Sequence, residues 1–162
     1  MKIRFILLVT IGIMLLAPVR TYSQTQKVPP FQIMLYDGKV FRAQNLPLGK
    51  NIIIVYFSPE CEECHEFTKA MKERIEDLQS ASIAMITYMP VEKVKPYVAE
   101  NKLYIYPNMY VGTEGNSLFV ANYFGIKLFT FVSLFDKNGT LVKKYTSKEV
   151  NIEDLIDRLN NL

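Results

Sequence analysis

The most constraining feature of this sequence is an apolar stretch that runs directly into a pair of cysteines. The stretch covers residues 52–57 without alternating with polar residues, which is typical of a strand buried on both faces of a sheet. Cys61 and Cys64 follow it and are the only cysteines in the chain. Apolar residues then recur at every third or fourth position, which predicts a helix from about Cys61 to Gln79. A strand that leads into a helix with Cys-x-x-Cys in its first turn indicates thiol–disulfide chemistry.

Strand and helix patterns fill the chain from residue 31 onward. The turn sequence at residues 36–39 predicts an N-terminal β-hairpin, because its Gly tolerates positive φ after an Asp. The predicted strands cover residues 31–35, 40–41, 52–57, 83–88, 108–111, 129–135 and 140–145, and further helices cover 91–101, 117–124 and the segment capped by Asn151. Residues 112–116 are predicted to form a loop. This order indicates an α/β fold, a three-layer α/β/α sandwich with a mixed central sheet.

The first 23 residues have the pattern of a secretory signal peptide. Lys2 and Arg4 provide a positive start, and an apolar core covers residues 5–16. Small residues within 21–23 predict cleavage before Gln24. The apolar core is shorter than the roughly 20 residues of a membrane-spanning helix, and an uncleaved N-terminal anchor is the alternative. No cysteine follows the core, which excludes lipid attachment of the bacterial lipoprotein type.

The length of 162 residues predicts one domain, residues 31–162, preceded by an exposed linker over residues 24–30. Lys2, Arg4 and Arg20 are three of the 19 basic residues, and without them sixteen basic residues balance the 16 acidic ones. A processed chain therefore has no global basic field, which argues against nucleic acid as a partner. A membrane is expected as a partner only if the signal segment is retained.

The two cysteines are expected to differ in their roles. Residues three apart in a helix are neighbours, so Cys61 and Cys64 can form a disulfide. The positive end of the helix favours a thiolate at the first cysteine, whereas Cys64 lies on the apolar stripe and is expected to be more buried. Four carboxylates crowd the turn, at Glu60, Glu62, Glu63 and Glu66. They oppose a thiolate, which predicts a reducing rather than a strongly oxidising couple. The alternative is that they form a solvated helix start that suits the helix dipole.

From residue 31 to the end, the chain resembles the thioredoxin fold and, most closely, the exported TlpA/ResA-like thiol–disulfide oxidoreductases. The matching stretches are FxxxLxDGK at residues 31–39, LGK at 48–50, FSPECEEC at 57–64, YFGI at 123–126 and FDKNG at 135–139. The resemblance implies that Cys61 is the attacking thiol and Cys64 the resolving thiol. It also implies a substrate-binding edge, for which the candidates are Pro59, Glu60, Phe129 and Thr130.

Three positions depart from the pattern of that family. Glu60 stands where a Trp usually precedes the first cysteine, and apolar Val55 stands where thioredoxin has a buried acid. Thr130 occupies the position of the cis-proline that shapes the substrate-binding edge and discourages metal capture. Substrate docking is therefore the part of the resemblance that these departures affect most.

The sequence as a whole predicts an exported thiol–disulfide oxidoreductase that acts as a reductant through its Cys-x-x-Cys pair. Its expected partners are protein thiols and disulfides of the bacterial cell envelope and an upstream electron donor. The expected location is the periplasm or cell envelope. No cofactor and no metal is expected.

Other interpretations of the same residues stay open. Cys61 to His65 also match the attachment motif of c-type haem, with His65 as the axial ligand. The same three side chains are soft ligands that suit copper. His65 is alternatively a catalytic base or a plain surface residue of the helix. A non-enzymatic interaction domain with a structural disulfide is the remaining alternative.

Overall fold

The computed structural model describes residues 26–162, which form a seven-stranded sheet with four helices. The strands are β1 (Gln32–Leu35), β2 (Val40–Arg42), β3 (Asn51–Tyr56), β4 (Ala81–Thr87), β5 (Met109–Thr113), β6 (Phe131–Phe135) and β7 (Leu141–Thr146). The helices are α1 (Glu62–Glu73), α2 (Val91–Asn101), α3 (Phe119–Phe124) and α4 (Ile152–Asn160). The signal peptide predicted over residues 1–23 lies outside the described residues.

The sheet is mixed, with strand order β2-β1-β5-β4-β3-β6-β7. Strands β3, β4 and β5 are parallel to one another, whereas β1 and β6 pair with this trio in antiparallel fashion. The N-terminal hairpin of β1 and β2 is present, as is the closing hairpin of β6 and β7. The predicted mixed sheet with an N-terminal hairpin is therefore confirmed.

Two apolar clusters fill the space on either side of the sheet. Alternate residues of β3 belong to different clusters, so that Ile53 and Val55 pack on one face while Ile54 and Tyr56 pack on the other. Helices α1, α2 and α4 cover the first face, and α3 covers the second. Every residue of β4 is buried, as expected for a strand enclosed between two helical layers. This arrangement is the three-layer α/β/α sandwich that the sequence predicts.

Helix α1 ends earlier than the sequence predicts. It stops at Glu73, and a 3-10 turn over Ile75–Leu78 follows after Arg74 leaves the helical conformation. Leu78 is nevertheless fully buried in the same cluster as Met71. The apolar spacing persists across the break, which is why the pattern predicted a single helix.

The loop predicted over residues 112–116 begins two residues too early. Gly112 and Thr113 belong to β5, and Gly112 pairs with Leu35 of β1. A Cβ atom at Gly112 would lie 2.5 Å from the carbonyl oxygen of Met34, so a glycine is needed for the close approach of β1. Gly112 therefore serves a strand pairing rather than a loop.

Residues 26–30, which the sequence assigns to an exposed linker, contact the turn between β6 and β7. The carbonyl of Gln26 accepts a hydrogen bond from the Leu141 amide at 2.8 Å, and the Val28 amide donates to Gly139 at 3.0 Å. Pro29 is buried. Within residues 26–162, no helix combines the length and apolar character needed to cross a membrane.

Candidate active site

Both cysteines lie at the carboxyl ends of the parallel strands, an edge of the sheet that we call the cysteine edge. The chain leaves β3 at Tyr56 and turns through Ser58 into α1, whose first turn carries the cysteines. The segment before β6 reaches the same edge, because Phe131 pairs with Tyr56. Residues far apart in sequence therefore meet around the Cys-x-x-Cys turn.

Cys61 is the N-cap residue of α1 and is partly exposed. Its amide donates to the Ser58 carbonyl at 3.1 Å, and its thiol donates to the carboxylate of Glu63, with a sulfur–oxygen distance of 3.4 Å. Burial raises the pKa of the Cys61 thiol to about 12; side-chain hydrogen bonds with Cys64 and Glu63 add to the increase, whereas a backbone hydrogen bond with Cys64 opposes it. In the reduced protein, burial of Cys61 opposes the thiolate that the positive end of the helix is expected to favour.

Cys64 is only 1% exposed, so the predicted difference in burial between the cysteines is present. Two donors are directed at its sulfur, the Ser58 amide at 3.5 Å and the Thr130 hydroxyl at 3.3 Å. The Tyr97 hydroxyl donates to its backbone carbonyl at 3.3 Å. Both cysteines are free thiols in this structure.

The candidate substrate-binding residues Phe129 and Thr130 lie directly before β6, opposite the cysteines. The peptide bond between them is cis, although Thr130 is not a proline. The Thr130 carbonyl accepts a hydrogen bond from the Ser147 amide at 2.6 Å, and its side chain is buried. The Phe129 ring is partly exposed and stacks between Tyr56 and Tyr88, with centroid distances of 6.0 Å and 5.9 Å.

The other two candidates, Pro59 and Glu60, precede Cys61 on the connecting turn. The Pro59 carbonyl lies 2.8 Å from Nε2 of His65. A carbonyl only accepts, so this nitrogen carries a proton. The hydrogen bond holds the His65 imidazole against the connecting turn. Glu60 is exposed and pairs with Lys93 at 3.0 Å.

The four glutamates of the turn contribute less than the sequence suggests. Within residues 26–162, Glu63 is the one whose carboxylate hydrogen bonds to a cysteine. Its own pKa is lowered, first by a backbone hydrogen bond and then by the Cys61 thiol. Burial, rather than a crowd of carboxylates, is the main reason why a Cys61 thiolate is disfavoured.

The haem and copper interpretations require Cys61, Cys64 and His65 to act together. Cys64 is buried in the core, and the imidazole of His65 is engaged with Pro59. Over the part of the chain that the structure describes, no three His, Cys, Asp or Glu side chains are grouped to hold a metal ion. The reduced site does not bring the three proposed ligands together.

One buried carboxylate near the site was not singled out from the sequence. Glu114 is 8% exposed and accepts hydrogen bonds from the Tyr56 hydroxyl and the Val120 amide, both at 2.7 Å. Burial, followed by this hydrogen bond to Glu114, raises the pKa of the Tyr56 hydroxyl. Phe129 and the two tyrosines that stack on it, Tyr56 and Tyr88, form an aromatic wall beside the cysteines. Glu114 supports this wall through its hydrogen bond with Tyr56. The available signal was a tyrosine that follows four aliphatic residues in the apolar stretch 52–57.

Residues 25–158 match the AhpC/TSA family. Among curated proteins, none matches the chain in sequence. Solved structures with the same fold include a secreted Mycobacterium tuberculosis disulfide oxidoreductase homologous to E. coli DsbE. The two share 14% identity over 82% of this chain and 96% of that one, with a TM-score of 0.67.

Two further structures have similar values. A thiol-disulfide oxidoreductase from Bacteroides fragilis is 12% identical over 84% of this chain and 98% of its own, with a TM-score of 0.69. Peroxidoxin BcpB from Mycobacterium tuberculosis is 13% identical over 85% and 96%, with a TM-score of 0.72. These similarities confirm the thioredoxin-like fold.

Proposed function

We propose that this chain, which belongs to the AhpC/TSA family of thioredoxin-like proteins, is an exported thiol–disulfide oxidoreductase that reduces disulfides in other proteins. The observation that carries the proposal is the unequal pair in the first turn of α1. Cys61 is accessible, whereas Cys64 is buried immediately behind it. An exchange reaction needs one thiol that reaches the substrate and a second that reaches only the first.

In the proposed reaction, the Cys61 thiolate attacks one sulfur of a client disulfide. A bond forms between Cys61 and that sulfur, and the other client sulfur leaves as a thiolate. Cys64, deprotonated in its turn, then attacks the Cys61 sulfur and releases the second client thiolate. The protein ends with a Cys61–Cys64 disulfide, and the client has gained two electrons.

The direction of exchange is proposed from the electrostatics of Cys61. Strong oxidants owe their potential to a stabilised reduced form with a low thiol pKa. Here burial raises the pKa of Cys61 to about 12, so its thiolate is not stabilised. We expect a potential nearer to thioredoxin's value of about −270 mV than to the value of about −120 mV of a strong oxidase. Equilibration of the pair with glutathione buffers measures it, and a value above about −180 mV contradicts a reducing role.

Client docking is proposed at the surface formed by Pro59, Glu60, Phe129 and Thr130. Phe129 supports this assignment, because its ring is partly exposed and held between two tyrosines beside the cysteines. Rigid aromatic surface of this kind is typical of the centre of a binding site. Thr130 is buried, so its contribution is to the backbone and the cysteine turn rather than to exposed surface.

Export to the periplasm or cell envelope is proposed from the pattern of the first 23 residues. The secreted Mycobacterium tuberculosis protein named above has the same fold, which is compatible with that location. The proposed partners are envelope proteins with exchangeable disulfides and an upstream electron donor. Mass spectrometry of the protein from a cell-envelope fraction tests this proposal, with Gln24 as the expected first residue.

A non-catalytic interaction domain with a structural disulfide is the second candidate. It is favoured by the high pKa of Cys61 and the complete burial of Cys64. Reduction of insulin by dithiothreitol separates the two, since an oxidoreductase accelerates it and an inert domain does not. Trapping mixed disulfides on Cys64→Ser in envelope extracts then identifies the client and the direction of exchange.

A further inference from the structure

The buried sulfur of Cys64 lies under a side-chain hydroxyl. Thr130 is 2% exposed, and its Oγ1 lies 3.3 Å from the Cys64 sulfur. The Ser58 amide approaches the same sulfur at 3.5 Å. A neutral thiol is a weak acceptor, but a hydrogen bond to an ionised group is much stronger. The two donors therefore stabilise the thiolate form of Cys64 more than its neutral thiol form.

We propose that Thr130 is a catalytic residue whose hydroxyl stabilises Cys64 as a thiolate when the Cys61–Cys64 disulfide is opened. This role rests on the proposed oxidoreductase function. It gives Thr130, which occupies the position of the cis-proline in the family that the chain resembles, a part in the reaction. Proline has no donor to offer there. Threonine brings a hydroxyl to the sulfur from a position 66 residues away in the sequence.

The step takes place when a dithiol reductant reduces the Cys61–Cys64 disulfide of the oxidised protein. One thiolate of the reductant attacks the Cys61 sulfur and forms a new disulfide bond with it. The Cys61–Cys64 bond breaks, and the electron pair remains on Cys64, to which the Thr130 hydroxyl donates. The second thiolate of the reductant then displaces Cys61, so the reductant loses two electrons and the protein gains them. A leaving thiol with a lower pKa departs faster.

Among the described residues, Thr130 and Cys61 are the ones whose side chains hydrogen bond to the Cys64 sulfur. Titratable side chains near it are Cys61 and Glu63 at the start of α1 and Tyr97 on α2, whose ring centroid lies 4.9 Å from that of His65. Glu63 accepts from Cys61, and the Tyr97 hydroxyl donates to the Cys64 carbonyl rather than to its sulfur. Cys61 shares a hydrogen bond with Cys64 in the dithiol, but its sulfur is bonded to the reductant when Cys64 leaves.

The first test measures the pKa of Cys64 by ¹³Cβ NMR in a Cys61→Ala background, in which no thiol or hydroxyl replaces Cys61. Thr130→Val keeps the branched shape but removes the donor, and we expect it to raise the pKa of Cys64 by about one to two units. Thr130→Ser restores the hydroxyl and is expected to return the pKa close to the parent value. Thr87→Val is the matched control, because Thr87 is equally buried and its hydroxyl accepts from the Met89 amide instead.

The second test follows the reduction of the Cys61–Cys64 disulfide by dithiothreitol in chains that retain both cysteines. Thr130→Val is expected to slow it roughly threefold to tenfold, while Thr130→Ser and Thr87→Val match the wild type. A folded Thr130→Val protein with an unchanged Cys64 pKa or an unchanged rate overturns the proposal. If Thr130→Val does not fold, the same comparison is made between Thr130→Ser and Thr130→Ala.

Insulin reduction by the wild-type chain distinguishes the two possible failures. If the wild type accelerates insulin reduction while Thr130→Val has a normal Cys64 pKa, the role of Thr130 fails and the oxidoreductase proposal stands. If the wild type is inactive on insulin but Thr130→Val raises the pKa, the function fails whereas the contact between Thr130 and the thiolate holds.

Discussion

The two edges at which the parallel strands begin and end differ in cavity volume and in chemistry. The opposite edge, where β3, β4 and β5 begin, has a cavity of about 530 Å³. Its lining residues include Lys50, Glu76, Ser82 and Tyr110. The cysteine edge has a shallower groove of about 390 Å³ beside Glu63 and Thr130. Neither cavity is lined by a cysteine, and the larger one lies at the end of the strands remote from the thiols.

What differs between the edges is the convergence of polar groups on one atom. At the cysteine edge, the Ser58 amide and the Thr130 hydroxyl both approach a single sulfur. At the opposite edge, the buried Ser82 hydroxyl has no hydrogen-bond partner among residues 26–162. Convergent donors, rather than volume, mark the candidate active site. The following predictions test this contrast.

The largest expected effect is the loss of insulin reduction when a cysteine is replaced. Cys61→Ser removes the attacking sulfur and Cys64→Ser the resolving one, so both should reduce turnover to the rate of the reductant alone. Circular dichroism should show that the folds are intact. Substantial catalysis by Cys61→Ser would place the chemistry somewhere other than the cysteine edge.

The next effect is the dependence of Cys61 reactivity on pH. Because its pKa is raised to about 12, the thiolate fraction should increase about tenfold per pH unit from pH 7 to 9. The rate of alkylation by iodoacetamide, followed by mass spectrometry with Cys61→Ser as the control, should rise in parallel. A plateau below pH 8 would show that Cys61 is an activated thiolate and that burial does not dominate its surroundings.

A smaller effect is expected from the aromatic wall. Phe129→Ala removes the partly exposed ring between Tyr56 and Tyr88, and the KM for insulin should rise roughly threefold to tenfold with little change in kcat. Tyr110→Ala removes an aromatic ring from the opposite edge, where it stacks on Phe41 at 4.3 Å. It should lower stability but leave KM unchanged. Equal changes in KM for both variants would show that the two edges do not differ in client binding.

The smallest effect is expected from Ser82→Ala. The Ser82 hydroxyl is buried without a partner among the described residues, so its removal should leave the free energy of unfolding unchanged or raise it by up to about 1 kcal/mol. Urea denaturation measures this, and turnover of insulin should stay the same. A loss of more than about 1 kcal/mol would mean that the opposite edge also contains a satisfied polar site.

Much of the fold could be predicted from local patterns. The helix over residues 91–101 was predicted with its observed bounds despite Pro96 in its interior. Asn151 caps α4 as predicted, with its side chain accepting from the Glu153 and Asp154 amides. These features depend on residues that are close together in sequence, where spacing and capping rules apply.

The parts that were missed depend on contacts between distant residues. The pKa of Cys61 reflects burial, which depends on the packing of the whole domain rather than on the local sequence. The hydrogen bond of Tyr56 to Glu114 joins two strand ends 58 positions apart. Thr130 was recognised as a departure from the family, but only the structure shows that its hydroxyl reaches Cys64.

The pairing of Gln26 with Leu141 also determines where the preceding chain enters the domain. Leu141 pairs with Phe135, which in turn pairs with Ile52 near the start of β3. Gln26 therefore lies at the end of the sheet remote from Cys61. The described part of the chain therefore begins at the end of the sheet opposite the surface proposed for client docking.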